Sequence, residues 1–231
     1  MNLIKNNVVT ELPYTERQEN RVALLESNKV IRNTYMLLSM TLLFSAAIAA
    51  TSVALNLPGP GLILTLVGYF GLLFLTSKLR NSAWGLAAVF ALTGFMGYTL
   101  GPMISHYLGL PNGGQTVMTA MAGTAVIFLG LSGYALTTRK NFSFMGGFLM
   151  VGMLLAFVAS LAAIFLSIPA FSLAISAVFV LLMSGFILYE TSNIIHGGET
   201  NYVMATLSLF VSIFNLFTSL LQLLGFANSR D

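Results

Sequence analysis

The charged residues divide this chain into long apolar runs. They crowd the first 32 residues, from Lys5 to Arg32, and four later stretches carry none: 33–77, 81–138, 141–189 and 200–229. These stretches are 45, 58, 49 and 30 residues long. About 20 apolar residues cross a hydrocarbon core ~30 Å thick. Each of the first three stretches therefore has room for two helices, and the last for one. The long stretches are punctuated near their middles by Leu57-Pro58-Gly59-Pro60-Gly61, by Gly109-Leu110-Pro111-Asn112-Gly113-Gly114 and by Ser167-Ile168-Pro169. Such clusters mark turns, and irregular backbone cannot be left exposed to lipid at membrane depth. The pattern predicts spans at 30–55, 61–77, 82–107, 116–137, 144–167, 170–190 and 203–225: three helical hairpins and a lone seventh helix.

Composition agrees. The chain is 57% hydrophobic and 7% charged, against roughly 25% charged residues in a soluble domain. Too few charges exist to clothe a water-facing globule. The absence of cysteine excludes disulfides, thiolate zinc sites and cysteine catalysis.

Lys29 and Arg32 precede the first span, Lys78 and Arg80 separate the second from the third, and Arg139 and Lys140 separate the fourth from the fifth. The Pro/Gly loops carry no Lys or Arg. The positive-inside rule then places the N-terminus in the cytoplasm and, with seven full spans, the C-terminus outside. The link Thr191 to Tyr202 is neutral on this test, so a re-entrant last helix is the alternative. The domains expected are a polar cytoplasmic tail at 1–29, a membrane domain at 30–225 and a short C-terminal tail at 226–231. The first span is an anchor and not a cleaved signal, because its flank is long, mixed in charge and holds four glutamates.

Ser208, Ser212, Asn215, Ser219 and Gln222 fall at spacings of four and three, on one face of the last helix. A polar stripe on a spanning helix faces protein or water, which puts this helix inside the bundle. It serves either as hydrogen-bond glue between helices or as the lining of a pathway. Small residues at helix-packing spacing, Ala46–Ala50 and Gly97–Gly101, predict a compact bundle.

Glu190 is the one acid that can lie within a span, close to the end of helix six; an ionisable group there is a functional candidate or an interfacial carboxylate. His196 and Glu199 flank Gly197-Gly198 in the next link. With Glu190 they form at most a weak metal-ligand set, and a polar loop is the plainer reading. Ser184-Gly185 resembles a serine nucleophile site, but His196 lies 12 residues on, about 18 Å along a helix, and His106 lies toward the opposite face. No His-Glu-x-x-His occurs. No enzyme and no cofactor are expected.

The run Ile187-Leu-Tyr-Glu-Thr-Ser-Asn-Ile-Ile-His-Gly-Gly-Glu-Thr-Asn-Tyr202, followed by Asn215-Leu-Phe-Thr-Ser-Leu-Leu, resembles the signature of the Bax-inhibitor membrane protein family, closest to its bacterial YccA-like branch. Arg32-Asn-Thr-Tyr35, Leu57 to Val67, Leu136-Thr-Thr-Arg-Lys140 and the ending Leu224-Gly-Phe-Ala add to the likeness. Within the signature link, Asn193, His196, Gly197, Gly198 and Glu199 are the marked residues. The resemblance implies an all-α bundle of seven transmembrane helices in the bacterial inner membrane, with the last helix near the centre. It also implies a non-enzymatic modulator of the ATP-dependent membrane protease FtsH, associated with HflK and HflC. An extended 29-residue tail would reach ~100 Å, far enough to enter such a protease. The wider family includes pH-sensitive calcium leak channels that use two facing acids. Glu190 matches the first, and the second falls at Ser212, which cannot ionise.

Overall fold

The computed structural model describes residues 14–166 and 168–228. They form seven helices: α1 (Tyr14–Ala54), α2 (Gly61–Leu79), α3 (Ala83–Leu108), α4 (Gly113–Thr138), α5 (Met145–Leu166), α6 (Pro169–Ile195) and α7 (Tyr202–Asn228). All seven are long and apolar enough to cross a membrane. The expected breakers do break the chain: Pro58 to Pro60 separate α1 from α2, Pro111 lies between α3 and α4, and Pro169 opens α6.

Two boundaries differ from the sequence reading. α1 begins at Tyr14, so residues 14–29 of the expected tail are helical; residues 1–13 lie outside the described residues. The segment 14–54 has no Gly or Pro, and Glu, Arg, Gln, Ala and Leu in its polar part are strong helix formers. A helix rises 1.5 Å per residue against about 3.3 Å extended, so this part of the tail reaches about half as far. α6 runs on to Ile195. Its breaker is Gly197, at φ +74°, and Glu190 therefore lies more than a turn inside the helix.

α7 packs against α1, α3, α4 and α6. In its most apolar window 44% of residues are buried, against 6% in α2, so α7 is the axis of the bundle and α2 faces outward. Leu209 and Phe210 pack with Leu38 of α1 and Leu92 and Met96 of α3. About two turns further, Leu216 joins Leu149 of α5 and Met183 and Ile187 of α6. The last helix runs unbroken along the bundle: Asn201, just before it, bonds the α2–α3 link, and Asn228 at its far end donates to Thr116 Oγ1 at the start of α4 (2.6 Å).

The α1–α3 seam shows what the small residues accomplish. A Cβ on Gly97 would lie 2.4 Å from the Ser45 carbonyl, and one on Gly101 would lie 2.0 Å from Ser52 Oγ. Only glycine lets these backbones approach so closely. Pro102 interrupts α3 and has no N–H for the carbonyl four residues back. That carbonyl belongs to Tyr98, and Ser52 Oγ of α1 donates to it at 3.3 Å. The other small pair is used differently. Ala46 and Ala50 line an apolar groove of about 760 Å³ between α1 and α4, floored by α3 and α7.

Candidate functional site

Two ends of the bundle are distinguishable by chemistry. One carries the Lys- and Arg-bearing links α2–α3 and α4–α5, and is called the basic end; the other carries the Pro/Gly loops. The marked segment, Glu190 to Tyr202, lies at the basic end and connects α6 to α7.

This segment starts where α6 runs out of hydrogen-bond partners. The last four carbonyls of a helix have no acceptor role within it, and here other elements supply the donors. Ser27 Oγ of α1 is shared between the carbonyls of Ile194 (3.1 Å) and Ile195 (2.9 Å). Gly197 N–H donates to Ile194 O and Gly198 N–H to Asn193 O (2.9 Å). A Cβ on Gly198 would sit 2.0 Å from Asn193 Oδ1, while Gly197 has open space but takes the left-handed φ of +74°, so the two glycines suit this turn for different reasons.

Further bonds reach the neighbouring links. Ser192 Oγ accepts from Phe142 N–H (2.9 Å) and donates to Lys140 O (3.1 Å) in the α4–α5 link. His196 caps α6, with Nδ1 at 2.8 Å from Ser192 O and Nε2 at 3.1 Å from Arg139 O. Arg139 is itself the cap of α4, in the left-handed region at φ 49°. Glu199 Oε1 accepts from Asn201 N–H (2.7 Å). Asn201 Oδ1 accepts from the N–H groups of Val203 (3.0 Å) and Met204 (3.1 Å), the cap that starts α7. Its Nδ2 donates to Arg80 O (3.1 Å) and Asn81 Oδ1 (2.8 Å) in the α2–α3 link.

A buried polar layer lies beneath this surface. Thr191 Oγ1 is 3.2 Å from Tyr35 Oη of α1 and 3.4 Å from Ser132 Oγ of α4. Thr206 Oγ1 of α7 is 3.2 Å from Thr34 O of α1. The α6–α7 segment thus fastens α1, the α2–α3 link and the α4–α5 link together: it is a clasp.

The polar stripe of α7 is divided. Ser212 Oγ donates to Ser208 O (3.0 Å) and Asn215 Nδ2 to Val211 O (2.8 Å), both within α7. Among the described residues, Gln222 is the stripe residue that bonds another helix, its Oε1 accepting from Ser176 Oγ of α6 (2.7 Å). Asn215, Ser219 and Gln222 also line a cavity of about 420 Å³, with Ser160, Ser172 and Ser176 opposite. The stripe therefore carries both a helix–helix bond and a polar lining, at the Pro/Gly half of the bundle.

Glu190 is half-buried and makes no hydrogen bond or ion pair among the described residues. Ser184 Oγ donates to Val180 O (2.7 Å), and both His196 nitrogens face carbonyls, so no serine–histidine pair forms from them. Glu190, His196 and Glu199 do not gather as ligands; no group of three such residues able to hold a metal exists among the described residues. His106 is exposed in the last turn of α3, its ring edge-on to Tyr107 at 5.6 Å.

Sequence reasoning marked Asn193, His196, Gly197, Gly198 and Glu199, and the structure brings all of them into the clasp. It passed over Asn201, Ser192, Thr191, Tyr35 and Ser27. An Asn just ahead of an apolar run is a helix-start signal, which could have found Asn201. Nothing local marks the others, whose partners lie 50 or more residues away.

Comparison with known proteins places the chain. Residues 27–230 match the family described as inhibitor of apoptosis-promoting Bax1. The chain is 57% identical over 212 residues to the modulator of FtsH protease YccA of Escherichia coli, covering 92% of this chain and 96% of that one. The same identity and coverage hold for a protein of another Escherichia coli strain named inner membrane protein YccA. An uncharacterised membrane protein of Vibrio cholerae is 45% identical over 220 residues, covering 95% of this chain and 99% of its own.

Proposed function

Because this chain belongs to the Bax-inhibitor family, we propose that it is a non-enzymatic modulator of an ATP-dependent membrane protease of the FtsH kind. The observation that carries this reading is the 57% identity, over nearly the whole of both chains, to a protein named as the modulator of that protease. HflK and HflC are proposed as associated partners, and lipid surrounds the bundle. The proposed location is the bacterial inner membrane, with the basic end and the N-terminus in the cytoplasm and the C-terminus in the periplasm.

The geometry supplies a physical route. α1 continues without a break from the core of the bundle to beyond the basic end, so a force applied to the N-terminal tail is applied to α1. α1 is held by the glycine seam with α3, by Ser27 on the end of α6, and by Tyr35 against Thr191. Extraction of α1 must therefore break the clasp as well as the seam. A protease engaged on the tail would stall, and a stalled protease is an inhibited one. Affinity purification from detergent-solubilised membranes tests this, comparing the full chain with a deletion of residues 1–25. Recovery of the protease with the full chain alone supports the reading. Equal binding and equal inhibition by the deleted form would remove its basis.

A second reading, an ion leak, draws on the polar cavity lined by Asn215, Ser219 and Gln222. The position of Ser212, where paired acids would need a second carboxylate, weighs against it. Glu190→Gln separates the two: a leak changes its flux in liposomes, while protease binding is unaffected.

A further inference from the structure

The apolar groove between α1 and α4 has the depth of one leaflet of a bilayer. Its α1 wall runs from Leu42 to Ala54 and its α4 wall from Val117 to Leu129. Twelve residue steps make each wall about 18 Å long, against about 15 Å for half of a ~30 Å hydrocarbon core. At the Pro/Gly end the groove reaches Ala54, the last residue of α1. At the other end it is blind, because Phe128 of α4 lies against Tyr35 of α1 with ring centroids 6.1 Å apart. The groove therefore starts at one membrane surface and stops near the midplane.

Its walls suit hydrocarbon. No ionisable side chain lines it. Thr124 Oγ1 donates within its own helix to Ala120 O (2.7 Å), and Ser45 Oγ lies beside Gly97 in the α1–α3 seam. Ala49 of α1 and Phe210 of α7 are buried at the floor, while the rims, Leu43 and Met121, are exposed. The opening is thus sideways, into the bilayer. The volume, about 760 Å³, falls in the range of small-molecule sites, roughly 300–1,000 Å³. A partner's spanning helix would need the full ~30 Å and would meet the Tyr35–Phe128 closure halfway. A lipid tail is one leaflet long and ends where the groove ends.

We propose that this groove is a binding site for the acyl chains of a phospholipid from the leaflet at the Pro/Gly end, held more durably than the lipid around α2 and α5. α1 packs on α3, α6 and α7. The bound chains supply its packing toward α4 along this stretch, where a void would forfeit dispersion contacts.

The test uses the full chain in vesicles of phosphatidylethanolamine and phosphatidylglycerol. A trace of the phosphatidylethanolamine carries a photoreactive diazirine at the end of one acyl chain. Samples are irradiated either in the vesicles or after transfer of the protein into detergent, and labelled residues are mapped by mass spectrometry. In vesicles, α2, α5 and the groove are all expected to be labelled. After transfer, the label should survive in the groove alone, around its blind end at Phe128 and Phe214. Ala46 and Ala50 are exposed on the α1 wall, so Ala46→Leu with Ala50→Leu fills the groove without entering a packed seam. The double substitution should abolish the surviving label and leave the vesicle labelling of α2 and α5 unchanged, which reports an intact fold. Groove label lost on transfer as fully as that of α2 and α5, or surviving label indifferent to the double substitution, would overturn the proposal. A photoreactive residue in place of Met121 decides the occupant in native membranes. Attachment to phospholipid is expected; attachment to a protein, a second copy of this chain included, would assign the groove to a helix and overturn the lipid site.

Discussion

The two ends of the bundle are built on different terms. At the basic end, side chains reach across to the backbone of other elements: Ser27 to α6, Ser192 and His196 to the α4–α5 link, Asn201 to the α2–α3 link. At the Pro/Gly end the ties between elements are sparser, among them Tyr98 Oη to Pro58 O (2.5 Å), Gln222 to Ser176, and Asn228 to Thr116. The polar cavity lies in that half of the bundle, and the apolar groove between α1 and α4 extends toward the same end. The contrast teaches where rigidity is needed. Hydrophobic burial does not hold helices together in lipid, so packing and hydrogen bonds must. Here the bonds are concentrated at the end that the polar N-terminal segment leaves.

Substitutions at the two ends test that contrast. Asn201→Ala should do the most damage, because it removes the cap of α7 and the tie to the α2–α3 link together. A loss of about 2 kcal/mol is expected, read as a lower unfolding midpoint in detergent with faster hydrogen exchange in the first turn of α7. Ser192→Ala leaves Phe142 N–H and Lys140 O without their partner and should cost about 1.5 kcal/mol; hydrogen exchange in the α4–α5 link is the readout. Ser52→Ala, toward the other end, strands one carbonyl, that of Tyr98. Its cost should be about 1 kcal/mol, seen in the same unfolding assay. Gln222→Ala removes a single bond beside a cavity where water can substitute, and should cost about 0.5 kcal/mol. If Gln222→Ala destabilised the bundle more than Asn201→Ala, the ranking of the two ends would be reversed.

Most of the fold was legible in the sequence because the signal was physical and long-range in the right sense. Charge-free runs too long for one crossing, cut by Pro/Gly clusters, leave little choice of topology. The helical continuation of α1 through residues 14–29 was not legible: polar residues lack the apolar periodicity that marks a span, and their helix propensity is a weak signal. The central place of α7 was readable from its polar stripe. Its division, with Ser212 bonded inside its own helix and Gln222 bonded to Ser176, depends on rotamers that spacing cannot supply. The marked residues of the α6–α7 link were found through family resemblance, and the structure adds what they bond to. Pro102 was visible inside the third span, but that Ser52 would serve the carbonyl it strands was not, since the two lie on different hairpins.

The central claim is that the clasp lets this chain resist a protease pulling on its N-terminal tail. The direct measurement is a reconstituted assay with the FtsH-type protease, ATP and a second, degradable membrane protein. The full chain is compared with Asn201→Ala and Ser192→Ala. The account predicts that the full chain persists and slows degradation of the second substrate, while the weakened variants are themselves degraded and lose inhibition in the order Asn201→Ala, then Ser192→Ala. Undiminished inhibition by both variants, at a demonstrated loss of stability, would contradict it.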